Sequence, residues 1–104
     1  MKIIINEEEF IVDIANTFKK RLFGLMGKKH ITKGLFFPKT RSIHTFFMQE
    51  DIDVIMINKE NRVIYYAKNV HKNRIIIKKE AYHTIELPHN SLQKIKIYDK
   101  LIIY

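Results

Sequence analysis

The six residues Ile52-Asp53-Val54-Ile55-Met56-Ile57 constrain the fold more than any other stretch of the chain. Side chains alternate across a β-strand, so one face carries Ile52, Val54 and Met56 and the other Asp53, Ile55 and Ile57. Both faces are apolar except at Asp53. A strand that is apolar on both sides needs cover on both sides, which places it centrally in a sheet. Asp53 is then a carboxylate in line with a buried face. A lone buried charge is costly, so it needs donors around it or a wet opening. Two readings follow: a paired or turn-capping aspartate, or a carboxylate at the mouth of a pocket.

The rest of the chain supplies neighbours for that strand. Gly34 to Pro38, Ile43 to Met48, Arg62 to Lys68, Arg74 to Lys79, Tyr82 to Leu87 and Ile95 to Ile103 read as further strands. Lys59-Glu60-Asn61 reads as a hairpin turn, and Pro88-His89-Asn90-Ser91 as a turn leading into a single helical turn through Lys94. The first fifteen residues read as two short strands around Asn6-Glu7-Glu8. One helix is expected. Thr17 is a good N-cap, Phe18, Leu22, Leu25 and Met26 recur at helical spacing, and Gly27-Lys28-Lys29 reads as a stop. Gly24 lies inside this stretch, where it costs about 1 kcal/mol relative to alanine, and is read as a close-packing position. The expected fold is α+β: a mostly antiparallel, barrel-like sheet with one packed α-helix over residues 17–27. The 104 residues read as a single domain spanning 1–104.

Composition narrows the function classes. There is no cysteine, hence no disulfide, thiolate nucleophile or cysteine-ligated metal, which fits a reducing compartment. Met1 to Asn6 is too short an apolar run for a secretory signal, and no apolar run approaches the roughly 18 residues of a membrane span. The expectation is a soluble, cytoplasmic, bacterial-like protein. The net charge of +8 raises nucleic acid as a partner. Against it, fifteen of the nineteen basic residues are lysine and four are arginine, whereas the planar fork of arginine suits phosphate better. The cations are also spread out, with a looser set from Lys68 to Lys79. Richness in Ile, Asn and Lys is what AT-rich coding DNA would produce.

Two more segments carry polar residues out of place. In Ile43-His44-Thr45-Phe46-Phe47-Met48, His44 shares a strand face with Phe46 and Met48, and Thr45 takes the other. In Tyr82 to Leu87, Glu86 shares a face with Tyr82 and Thr84 and ends the strand before Pro88. Each has a plain structural reading: a core histidine bonded to backbone, an exposed-face glutamate. The five histidines form no HxH or HExxH spacing, there is no GxSxG, and three glycines make no phosphate-cradling loop. No metal site and no cofactor are expected.

Five ordered motifs carry a family likeness. Ala15-Asn16-Thr17, Arg21 and Gly24-Leu25-Met26 resemble an A-x-T-x-x-x-R-x-x-G-L-M opening. Gly34-Leu35-Phe36-Phe37 resembles G-M-L-F. Ile43 to Met48 with Ile52-Asp53-Val54 resembles I-H-T-x-x-M-x-x-x-I-D-V. Ile85-Glu86-Leu87-Pro88 is similar to L-E-L-P, and Tyr98-Asp99-Lys100-Leu101 to G-D-x-L. Together, from residue 10 to 103, they resemble the uncharacterised family called domain of unknown function 192. Departures fall at Gln49-Glu50-Asp51, His89-Asn90 and Tyr98, and touch loop shapes more than the fold. The resemblance implies a compact strand-rich domain and supplies no activity. Its matched polar residues are Arg21, His44, Thr45, Asp53 and Glu86, which are the expected ligand-binding residues.

The first expectation for function is a binding or accessory module, with a small ligand or a protein partner held near the His44, Asp53 and Glu86 strands. The alternative is a small hydrolase using Asp53 or Glu86 as general base, with His44 or Arg21 stabilising charge. Nucleic-acid binding through surface lysines comes third.

Overall fold

A computed structural model describes residues 1–17, 24, 25, 27 and 31–104. Nine strands make up the described architecture: β1 (Lys2–Ile5), β2 (Glu8–Ile14), β3 (Gly34–Phe37), β4 (Ser42–His44), β5 (Ile52–Ile57), β6 (Val63–Val70), β7 (Ile75–Ile77), β8 (His83–Pro88) and β9 (Ile102–Ile103). Seven form one sheet in the order β6-β5-β8-β3-β2-β1-β9, and β4 pairs with β7 in a separate ribbon. All pairs are antiparallel except β2 with β3. A parallel pair needs a crossover of a dozen or more residues, and residues 15–33 supply it.

The sheet curls into a half-barrel. Its edge strands β6 and β9 are linked through the segment before β9. Val63 N–H donates to Asp99 O at 2.9 Å, Tyr98 N–H to Val63 O at 2.7 Å, and Leu101 N–H to Asn61 O at 2.8 Å. The two faces of β5 found in the sequence feed two apolar layers. Ile55 and Ile57 pack inside the curl with Ile3, Val12, Ile85 and Leu101. Ile52, Val54 and Met56 pack outside it with Leu35, Phe37, Ile43 and Met48. All six β5 residues are buried, as a strand covered on both faces requires. At Gly34 the strands crowd so closely that an added Cβ would lie 2.6 Å from Glu86 O and 2.6 Å from Leu87 Cδ2, so no other residue fits.

The expectation of an α+β fold is overturned: the described residues are all-β, with no helix among them. The glycines are the physical reason. Gly27, at φ +73°, would suit a helix stop, but Gly24 already has φ +54°, a left-handed conformation that an α-helix cannot pass through. Gly24 and Leu25 form a turn that sets Leu25 into the outer apolar layer. Phe18, Leu22 and Met26 of the expected stripe lie outside the described residues. The helical turn expected through Lys94 is also absent, because residues 91–94 have no helical structure.

Candidate functional site

Asp53 is fully buried, and its carboxylate is saturated by backbone. Its position follows from a bulge. Ile52 pairs with Val70 and Val54 with Ala67, so Lys68 and Asn69 together face the single residue Asp53. Asn69 has φ +51° and points its N–H at Asp53 Oδ1, 2.8 Å away. Asp53 Oδ2 accepts the N–H of Leu92 at 2.9 Å. Asn69 and Asn90 then hold each other by two bonds of 3.1 Å, Nδ2 of the first to Oδ1 of the second and N–H of the second to Oδ1 of the first. Asp53 is thus a bracket that fastens the loop after β8 to the bulged edge of the sheet.

Thr45 is built the same way. It is fully buried, its hydroxyl donates to His71 O at 2.7 Å, and the same oxygen accepts Arg74 N–H at 2.9 Å. Its backbone adds a bond from its N–H to Arg74 O at 2.9 Å. The residue pins the chain between β6 and β7. His44 is half-buried on the ribbon, opposite Ile75. Its Nδ1 accepts Phe46 N–H at 3.3 Å and its ring stacks on Phe46 with centroids 5.2 Å apart.

Glu86 differs from all of these. It stands opposite Leu35 on β3 and Val54 on β5, so it faces the outer apolar layer. Its residue is 4% exposed, yet its Oε1 is buried without a hydrogen-bond partner. Desolvation by burial pushes its pKa up to about 8, and the Leu25 backbone N–H, directed at the carboxyl, offsets only part of that. Gly24 closes on the same carboxyl: a Cβ there would lie 3.3 Å from Glu86 Oε1 and 3.2 Å from Phe37 Cζ.

The structure therefore separates the residues that the sequence grouped. Asp53 pairs across from Leu87 and Glu86 from Val54, which puts the two carboxyls on opposite faces of the sheet. They cannot share a proton or a water. Thr45 and Asp53 serve backbone, His44 lies on the ribbon surface, and Arg21 falls outside the described residues. Glu86 keeps a free polar atom, with Gly24 and Leu25 beside it. Sequence reasoning took Gly24 for a packing glycine in a helix, and its carboxyl neighbour had no signal in the local pattern. His83, on the other face of β8, has its pKa lowered by burial and by the Lys39 charge, and its Nδ1 accepts Lys39 N–H at 3.0 Å. Among the described residues no cluster of His, Asp and Glu is placed to hold a metal ion. No helix among them is long and apolar enough to cross a membrane.

A curled all-β half-barrel with an outer ribbon also describes known proteins. The family model of domain of unknown function 192, described as "Uncharacterized ACR", matches residues 1–102, and the chain belongs to that family. A UPF0127 protein of Thermococcus kodakarensis is 39% identical over 93 residues, covering 83% of this chain and 59% of the relative. The chain thus spans about three fifths of that relative's length. A UPF0127 protein of Pyrococcus abyssi is 33% identical, covering 97% of both chains. These relatives are archaeal, which overturns the expectation of a bacterial-like protein. A crystal structure of a protein of unknown function from Novosphingobium aromaticivorans has the same fold. Its TM-score is 0.82 at 17% identity, over 99% of this chain and 84% of that one.

Proposed function

We propose that this chain is a small binding or accessory module, a single cytoplasmic domain, that receives a ligand group against the Glu86 face of the sheet. One observation carries the reading: Glu86 Oε1 is buried without a partner, while the side chains of His44, Thr45 and Asp53 are hydrogen-bonded to backbone. A buried polar atom left unpaired costs on the order of 1–3 kcal/mol, and a ligand that pairs with it recovers that cost. With a pKa of about 8, the carboxyl is protonated at neutral pH and offers an O–H. It therefore suits a neutral acceptor such as a carbonyl or amide oxygen. Gly24 supports the reading, because any side chain there would crowd Oε1.

The hydrolase reading has less behind it. Asp53 has both oxygens occupied by backbone amides and lies on the opposite face from Glu86, and Asp13, which shares the Glu86 face two strands away, is exposed.

Acetamide is a suitable probe. In isotope-labelled protein at pH 7, titration is expected to move the Glu86 carboxyl carbon and the Gly24 and Leu25 amides along saturable curves. Glu86→Ala, with its remaining spectrum intact, is expected to lose the response. An absent response, or an equal one in Glu86→Ala, overturns the proposal.

A further inference from the structure

A second feature lies where β6 and β7 border an open depression of about 360 Å³. Its floor is apolar and aromatic, from Tyr65, Ile75 and Ile76, and its rim carries Lys68, His71 and Arg74. No carboxylate lines it. Lys78 adds a further cation, with its ammonium 4.5 Å from the Tyr65 ring centre. Outside the lining, Asp51 is held by His71 at 2.8 Å and Asp53 by the Asn69 N–H at 2.8 Å.

Shape and charge both bear on what could fit there. The segment from Lys68 to Lys79 holds five cations and no acid. Ile75 is 63% exposed, which leaves apolar surface beside the cations for a partner to cover. Between the bulges at Ile64 and at Lys68-Asn69, β6 is the outer strand of its sheet, with an unpaired edge among the described residues. Lysines and bulges on an edge strand guard it against like or neutral strands. The same cations favour an acidic one. A second copy of this chain, at net charge +8, is disfavoured by like charge. A stacked nucleobase is disfavoured because Lys78 already lies over Tyr65.

We propose that this depression docks an acidic segment of a partner protein, with its carboxylates on Lys68 and Arg74 and its apolar side chains on Tyr65 and Ile75. Tyr65, opposite Met56, lies on the same face of the sheet as Glu86, but none of Glu86, Gly24 and Leu25 lines the depression.

The test uses a short peptide of alternating glutamate and valine, a matching lysine and valine peptide, single-stranded DNA and vesicles of anionic lipid. The acidic peptide is expected to shift the amides of Tyr65, Lys68, Arg74 and Ile75. Its affinity is expected to fall at least tenfold in the double variant Lys68→Glu, Arg74→Glu, and steadily with added salt. Both positions are exposed, and an unchanged spectrum elsewhere verifies folding. No binding, equal binding of the lysine peptide, shifts confined to other residues, or binding of the DNA or vesicles alone overturns the proposal. The acetamide response is read on Gly24 and Leu25 and the peptide response on Tyr65 and Ile75, so either proposal can fail without the other.

Discussion

Asp53 and Glu86 are both buried carboxyls on neighbouring strands, and the fold treats them in opposite ways. Asp53 faces the inside of the curl, where a bulge and a loop each aim an amide at one of its oxygens. Glu86 faces outward, where its Oε1 has no hydrogen-bond partner and Gly24 closes on it. Burial alone therefore does not mark a functional acid. What separates the two is how many donors the backbone brings to them.

The largest expected contrast is in pH dependence. In the folded protein Glu86 stays protonated up to about pH 8, but in the unfolded chain only to its ordinary 4.5. Unfolding between those values releases a proton, so the Glu86 contribution is fully present below pH 4.5 and falls as pH rises to about 8. The total is on the order of 5 kcal/mol. Denaturant unfolding of wild type and Glu86→Gln at several pH values measures it: the difference between the two should change across this window and be level above it. Next in size is Asp53→Asn, which turns an amide group toward an N–H donor. It should cost about 3 kcal/mol at pH 7 by the same method. Thr45→Val keeps the shape and removes the hydroxyl that joins His71 O to Arg74 N–H, for about 2 kcal/mol of lost stability. His44→Ala removes a 3.3 Å bond and a half-exposed ring, and should lower stability by less than about 1 kcal/mol. If His44→Ala proves as damaging as Asp53→Asn, the division between saturated and surface residues is wrong.

Several features were legible in the sequence because they depend on local pattern. The two-sided apolarity of Ile52 to Ile57 marked a central strand, and β5 lies between β6 and β8. The strands expected at 34–38, 62–68 and 82–87 fall within two residues of β3, β6 and β8. The turn at Asn6-Glu7 appears with both residues at positive φ. The continuous helix over residues 17–27 was misread because apolar residues can recur at helical spacing without one. The left-handed conformation at Gly24 is what rules it out. Most of the expected strand from Ile95 to Ile103 is irregular, and only Ile102–Ile103 pairs as β9. The site was less legible still. Period arguments placed Asp53 and Glu86 on faces of their own strands, but their relation depends on cross-strand register. That Asp53 would be satisfied by Asn69 and Leu92 depends on a bulge and a loop 16 and 39 residues away.

The titration of the Glu86 side-chain carboxyl, followed by carbon NMR in the folded protein, bears most heavily on the contrast with Asp53. A midpoint near 8 is expected, as burial without a second donor requires. A midpoint near the ordinary 4.5 would mean that Glu86 is well solvated or fully paired, and would contradict both its distinction from Asp53 and the binding role drawn from it.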